Sequence, residues 1–467
     1  MRKLIFVQRE IEDKPGVMAL CTYLKSHGFS AEIILEPYKN IRKIKNIKPD
    51  FIGFYVVSSA VNWTLDLCRY LKKQLPDMST ILGGPHPTFY PNVIEQDGCD
   101  IICIGEGEKA LVHLMQSYDG TLSSIENTPN FWLKKNGTII KNSLSPLLTK
   151  EELSALPPCD RSHYLKHAGI RKSPLRRVIT SRGCPYSCSY CFNSRYKELY
   201  KGLGTMVRQR SVDNVMEELK EVKKLGTKAI DFNDDQFLLS RDWILEFCEE
   251  YRKFINIPFV CGSTANRITH EIVATLKSAG CRSINFGIES GVERIRKEIY
   301  NKPTSNDHIY NAADVLHAHN MRFLTYNMIG LPEENLEHVF QTVRINQEIK
   351  TDYPWCSIVQ PYPGTDIAGS MLKGEINPQV KFSYSYFQSS VIGDPEKQKI
   401  VSNSQKLFAH FVKHNTDFDS FARLVQSHSV KIHFYPLIFY WHYGLGVRQR
   451  FSYTWLGLFR YWLYTRS

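Results

Sequence analysis

Two successive series of short β-rich runs, most of them followed by an amphipathic helical stretch, constrain this chain more than any other feature. In the first series Lys3–Val7, Ala31–Leu35, Phe51–Val57, Ser79–Leu82 and Ile101–Ile104 read as strands, and Gly16–His27, Asn62–Leu75 and Glu108–Tyr118 as helices. Strands alternating with helices predict a doubly wound parallel sheet over residues 1–125, with ligands received at the strands' carboxyl ends. In the second series, over residues 173–385, the strands are Arg177–Thr180, Ala229–Asn233, Phe259–Gly262, Ser283–Phe286, Arg322–Met328 and Ser357–Gln360. Helical segments lie between them, for example at Val212–Leu225, Arg241–Phe254, Thr269–Ala279, Asn306–His319 and Leu336–Glu348, and six such β/α units predict a partial or complete parallel barrel. Between the two series, residues 126–172 read as a hairpin and linker: Asn136-Gly137 between two β-rich runs predicts a type I′ turn, and Leu156-Pro157-Pro158 a connecting stretch. The class is α/β, closed by a mostly helical segment, residues 386–467.

A chain of 467 residues exceeds one ordinary core, and 43% hydrophobic with 23% charged residues excludes extended disorder. The apolar run Met1–Val7 turns polar at Gln8-Arg9-Glu10, too short for a secretory signal. No run of eighteen apolar residues predicts a spanning helix, so the cytoplasm is the expected compartment. Twelve cysteines without a signal argue against a disulfide scaffold. Cys68, Cys103, Cys248 and Cys356 read as buried core thiols.

One cysteine group is different. Arg182-Gly183-Cys184-Pro185-Tyr186-Ser187-Cys188-Ser189-Tyr190-Cys191 follows the first strand of the second series. Thiolates are preferred ligands of iron–sulfur clusters, and three on one loop can hold three irons of a cubane, leaving the fourth iron open. Zinc is the alternative reading, with His163, His167 or Cys159 as a fourth ligand.

The spacing C-x3-C-x2-C, an aromatic residue before the last cysteine and a strand leading into the loop resemble the signature of radical S-adenosylmethionine (SAM) enzymes. The resemblance implies a 4Fe–4S cluster on Cys184, Cys188 and Cys191 that binds SAM at its open iron and cleaves it to a 5′-deoxyadenosyl radical. It also implies SAM-binding roles for Tyr190 and for residues at later strand ends. Asp234 and Asp235 would accept from the SAM ammonium, Arg267 would pair with its carboxylate, and Glu289, beside Ser290, would accept from the ribose.

Placed before such a barrel, the first domain resembles the Rossmann-like cobalamin-binding domain of cobalamin-dependent radical SAM enzymes. The strand-end motifs Gly83-Gly84 and Gly105-Glu106-Gly107 would let the corrinoid's nucleotide tail approach the backbone, and Ser58, Ser59 and Trp63 would pack under the corrin. The D-x-H-x-x-G motif that supplies a cobalt ligand elsewhere is missing. His86, in its His-Pro setting, therefore reads as a loop residue.

Beyond Phe421 there is no acidic residue, and the net charge is +12. Phe451, Trp455, Leu458, Phe459 and Trp462 have the spacing of one helical face in Arg448–Ser467. That helix would cover the barrel or touch a membrane surface; nucleic acid is the weakest partner reading. The expected function is methylation of an unactivated carbon or a phosphinate phosphorus in a small-molecule or lipid-like substrate, with electrons from a flavodoxin or ferredoxin. The alternatives are a ring-forming or carbon–carbon bond-forming enzyme with the same cofactors, and a non-catalytic corrinoid- or zinc-binding regulator.

Overall fold

A computed structural model describes residues 2–371, 394–427 and 433–459. Two compact units emerge: the chain up to Ser173 with Arg195–Glu218, and Pro174–Ser194 with Leu219–Leu458.

The first unit is built on β1 (Lys3–Gln8), β2 (Ser30–Leu35), β3 (Phe51–Tyr55), β4 (Ser79–Gly83), β5 (Ile101–Cys103), β6 (Phe131–Lys135) and β7 (Thr138–Lys141). Their order is β2-β1-β3-β4-β5-β6-β7, with β1 to β5 parallel. The central strands are apolar on both faces because helices cover both. Leu4, Phe6, Phe51 and Ile81 meet Met18 and Leu24 of helix Pro15–Ser26 in one core. The strand order reverses at β1, so the carboxyl ends of β1 and β3 splay apart at a switch point. A small cleft there is lined by Gln8, Arg9, Lys14, Tyr55, Ala60 and Trp63.

The hairpin forms with Asn136 at φ 48° and Gly137 at φ 79°, as a type I′ turn requires. Residues 126–172, however, are no free-standing linker. β6 adds antiparallel to β5, and Tyr164 is buried in the first core with its hydroxyl donating to Gln8 Oε1 at 2.7 Å. Apolar anchors pull a polar-looking stretch onto the sheet. His86 also departs from expectation. It lies in the five-residue helix Pro85–Phe89 and is only 3% exposed, because Pro85 at the helix start favours a turn of helix over a loop.

The remaining strands are β8 (Leu175–Val178), the two-residue β9 (Ser181–Arg182) and β10 (Arg208–Gln209), β11 (Ala229–Phe232), β12 (Phe259–Ser263), β13 (Cys281–Glu289), β14 (Arg322–Ile329) and β15 (Tyr353–Ile358). In the second unit β8 and β11 to β15 pair in parallel in the order β15-β14-β13-β12-β11-β8. Each strand pairs with its predecessor and the two ends stay open, which makes a half-barrel. β15 starts earlier than its sequence pattern predicts. Pro354 is tolerated because an edge strand has one side without ladder bonds. Cys356 is buried against Phe408, as expected for a core thiol.

Helices Pro395–Lys413, Phe418–Gln426 and Tyr435–Phe451 follow. Val401, Phe408 and Phe411 of the first pack on Ile329, Val339 and Ile358. The single helix expected over Arg448–Ser467 does not form. Ser452, at φ 61°, ends helix Tyr435–Phe451, burying Phe451 and leaving Trp455 51% exposed. Trp462 lies outside the described residues. No described helix is long and apolar enough to cross a membrane.

Candidate active site

The cysteine loop is held by segments that leave the carboxyl ends of later strands. Ser189 N–H donates to Tyr300 O at 3.0 Å, and Ser189 Oγ to Ile299 O at 2.6 Å. Asn301 Nδ2 donates to Ser187 O at 2.8 Å, and Ile367 N–H to Ser189 O at 3.0 Å. From the turn after β12, Arg267 Nε and Asn266 Nδ2 donate to the Tyr186 hydroxyl at 3.2 and 3.0 Å. Cys188 is buried and Cys184 and Cys191 are half-buried. Asn193 Nδ2 reaches Cys191 Sγ at 3.7 Å. Three thiols thus stand on a short loop held from three directions, through its backbone and the Ser189 and Tyr186 side chains.

Glu289 ends β13 in the left-handed region at φ 68°, beside a register shift between Gly287 and Glu289. A non-glycine residue with this φ is uncommon, and such residues concentrate at functional sites. The Tyr190 hydroxyl donates to Glu289 Oε1 at 3.1 Å, and Lys302 Nζ donates to the same oxygen at 3.1 Å. Glu289 and Lys302 are both buried. A Cβ at Gly287 would stand 2.0 Å from Glu289 Oε1, so glycine there makes room for the carboxylate. Burial opposes the Lys302 ammonium, but Glu289 and the charges of Cys188 and Cys184 outweigh it and hold its pKa above the ordinary lysine value. Sequence reasoning missed Lys302. Its only cue was the turn-like Asn301-Lys302-Pro303, and a π-helical turn at Ile295–Ile299 carries it back to Glu289.

Asp234 follows β11. Its Oδ1 accepts from Thr180 N–H and Oγ at 2.9 Å and from Ser181 Oγ at 2.6 Å. Its Oδ2 is buried with no hydrogen-bond partner. Burial pushes this carboxyl up to about 6 against those hydrogen bonds. Asp235 is likewise raised by burial, and burial pushes the Cys191 thiol up to about 11, with the Asp235 charge adding to it. Arg267 is occupied differently from expectation. Beyond Tyr186, its Nη1 donates to Leu238 O and Leu239 O at 3.2 and 3.1 Å. Ser290 is fully buried and shapes the turn: its Oγ accepts from Val292 N–H at 3.2 Å and its carbonyl from Arg296 Nη1 at 2.5 Å.

In the first unit, Trp63 lines the switch-point cleft, with the Arg9 guanidinium 5.9 Å from its ring centre. Ser58 and Ser59 open the 3₁₀ turn before it, and Ser58 Oγ lies 3.0 Å from His86 Nδ1. Burial lowers His86 to about 4. Gly83 ends β4, and Gly84, at φ 100°, packs against the Tyr55 ring. The second motif is differently engaged. The Tyr200 hydroxyl fills the face of Gly105, where a Cβ would meet it at 1.8 Å, and accepts from Glu106 N–H at 3.1 Å. Both Glu106 oxygens bind Arg208, at 2.9 and 3.1 Å. Gly107 caps helix Glu108–Ser117. Of the residues considered as a fourth zinc ligand, His163 has its Nε2 2.8 Å from Lys25 Nζ and its Nδ1 buried without a hydrogen-bond partner, His167 Nδ1 accepts from Gly169 N–H, and Cys159 Sγ lies 3.9 Å from Pro15 O.

These residues fit the groups in question. Three thiols on one fixed loop suit iron, the orphaned Asp234 Oδ2 and the Glu289 carboxylate offer acceptors at the ends of later strands, and the small switch-point cleft lies where open α/β sheets receive ligands.

Comparison with known proteins agrees. Residues 4–115 match the B12 binding domain and residues 178–345 the radical SAM superfamily. The chain is 28% identical to an uncharacterized methyltransferase of Pyrococcus horikoshii, over 70% of this chain and 71% of that one. It is 24% identical to the anaerobic magnesium-protoporphyrin IX monomethyl ester cyclase of Rubrivivax gelatinosus, over 75% of this chain and 65% of the other. The radical SAM methyltransferase TsrM of Kitasatospora setae has the same fold, with a TM-score of 0.67 at 16% identity, covering 80% of this chain and 76% of that one. The cofactors are therefore a 4Fe–4S cluster, SAM and cobalamin, and the protein belongs to the radical SAM enzymes that carry a B12 binding domain ahead of the barrel.

Proposed function

We propose that the protein transfers a methyl group to an unactivated carbon, or to a phosphinate phosphorus, of a small-molecule or lipid-like substrate. The observation that carries this reading is the constellation of Tyr190, Asp234, Glu289 and Lys302 around a three-thiol loop, in a chain that also has a B12 binding domain. When bound, the cluster supplies the electron that cleaves SAM to a 5′-deoxyadenosyl radical, and cobalamin supplies the methyl group.

In this reading Cys184, Cys188 and Cys191 hold the cluster. Asp234 Oδ2, with Asp235 beside it, accepts hydrogen bonds from the SAM ammonium. Glu289 keeps one oxygen on Tyr190 and Lys302 and offers the other to the ribose. Arg267 is a positioning residue that clamps the loop through Tyr186, and Ser290 holds the turn after Glu289. In the first unit Ser58, Ser59, Trp63, Gly83 and Gly84 line the corrinoid site, with Gly105, Glu106 and Gly107 shaping the neighbouring loop. A flavodoxin or ferredoxin supplies electrons.

Similarity to the Rubrivivax gelatinosus cyclase supports a second outcome, in which the substrate radical forms a ring or a carbon–carbon bond. Anaerobic reconstitution with iron, sulfide and hydroxocobalamin is expected to load about four irons and one cobalt per chain. Turnover with methyl-labelled SAM then separates the outcomes. A labelled product establishes methyl transfer, whereas 5′-deoxyadenosine with an unlabelled, cyclised product refutes it.

A peripheral membrane role rests on Phe434, Leu437 and Trp441, all about 60% exposed, along helix Tyr435–Phe451 and the residue before it. Unchanged liposome flotation of a Leu437→Ser/Trp441→Ser variant would count against it.

A further inference from the structure

The second unit holds another group of ligand-type side chains, away from the cysteine loop in sequence. His410 lies in the last turn of helix Pro395–Lys413, His414 caps that helix, and His442 lies in helix Tyr435–Phe451. A spacing of four puts His410 and His414 on one helical face. The ring centres are 4.3 Å apart for His410 and His414, 6.0 Å for His410 and His442, and 6.4 Å for His414 and His442. One ring nitrogen from each lies within 4.8 Å of the other two. Among the described residues, no other three His, Cys, Asp or Glu side chains bring their ligand atoms so close.

We propose that His410, His414 and His442 bind one divalent cation of the zinc type, bridging the two helices, with water as the fourth ligand. Imidazole nitrogens suit zinc, copper and nickel, and the absence of a carboxylate from the group disfavours magnesium and calcium. Zinc–nitrogen bonds of about 2.0 Å require the three nitrogens to close to roughly 3.3 Å. Small χ rotations supply that movement, because His414 is exposed and the other two rings are half-buried. Lys413 donates to Thr351 O at 2.8 Å, so its ammonium is bound to a backbone carbonyl. Tyr435 and Ile438 already pack helix Tyr435–Phe451 on the core containing Phe408 and Phe411. A bound cation therefore adds a second fastening to an existing contact.

The test uses the full-length protein with its iron–sulfur cluster in place, so that the three cysteines are occupied, and zinc alone as the probe. After zinc loading and desalting, the wild type is expected to retain one zinc per chain beyond its iron. Its zinc-edge X-ray absorption should show only nitrogen and oxygen neighbours near about 2.0 Å, with imidazole outer-shell scattering. Zinc should also raise the Tm of the wild type. His442→Ala should abolish the retained zinc and the rise in Tm. His414→Ala, at an exposed helix end where folding is not at risk, should weaken zinc binding at least tenfold. Equal zinc retention in the wild type and His414→Ala would overturn the proposal, as would a sulfur shell near about 2.3 Å.

Discussion

Lys302 sets its ammonium 3.1 Å from Glu289 Oε1, and both side chains are buried at the carboxyl end of β13. Removing one partner of a buried ion pair leaves the other charge uncompensated, at a cost of about 3–5 kcal/mol. Lys302→Met is therefore expected to lower stability by about 3 kcal/mol in chemical denaturation. SAM binding should weaken with it, because Glu289 would then be freed from its fixed orientation. Lys302→Arg should recover part of both effects.

Gly287→Ala separates SAM binding from cluster binding. The new methyl group would fall 2.0 Å from Glu289 Oε1 and 2.9 Å from Lys302 Nζ, so the carboxylate is what it displaces first. Iron content should match the wild type, while calorimetry should show SAM affinity reduced about tenfold, or about 1.4 kcal/mol.

Glu334 yields a pH prediction. Its Oε2 accepts from Gly330 and Leu331 N–H at 2.7 and 2.9 Å, and burial pushes the carboxyl up to about 7 despite these bonds. A raised acid binds its proton more tightly when folded, so stability falls as pH rises between about 4.5 and 7 and levels off above that window. Glu334→Gln, isosteric and uncharged, should flatten this component of the unfolding free energy. An unchanged slope across the window would contradict the assignment.

Glu218 holds two arginines. Arg161 Nη2 and Arg210 Nη1 donate to its two oxygens at 2.8 and 2.7 Å, with all three side chains buried. Burial raises this carboxyl, but the two arginines outweigh it and keep the pKa below the ordinary glutamate value. Glu218→Gln strands two buried cations and should cost about 3–5 kcal/mol, read as a lower denaturation midpoint.

Trp63 tests the corrinoid site. It lines the cleft where β1 and β3 diverge, far in sequence from the cysteine loop. Trp63→Ala should weaken cobalamin binding about tenfold, close to 1.4 kcal/mol, and leave iron content unchanged. Unaltered cobalamin affinity and spectrum would remove Trp63 from the site.

Much of the architecture was legible in residue order. Strand β11 and helix Arg241–Phe254 fall within a residue of their sequence patterns, because apolar periodicity reports directly which face a segment buries. The loop Cys184–Cys191 was legible because its chemistry lies in eight consecutive residues. Ser452 was not: nothing in the spacing of Phe451, Trp455 and Leu458 signals a left-handed residue between helical turns. The early start of β15 at Tyr353 was not legible either, since only the sheet order makes it an edge strand that tolerates Pro354.

By itself the sequence determined two β/α series, a three-thiol loop at a strand's carboxyl end and the carboxylates placed after later strands, all of which depend on local periodicity and spacing. The tertiary structure alone decided that Lys302 joins Glu289, that Glu106 turns to Arg208, that Arg267 clamps Tyr186 and that three histidines from two helices converge. Those pairings join side chains that no local pattern relates, and they form only when burial forces each polar group to find a partner.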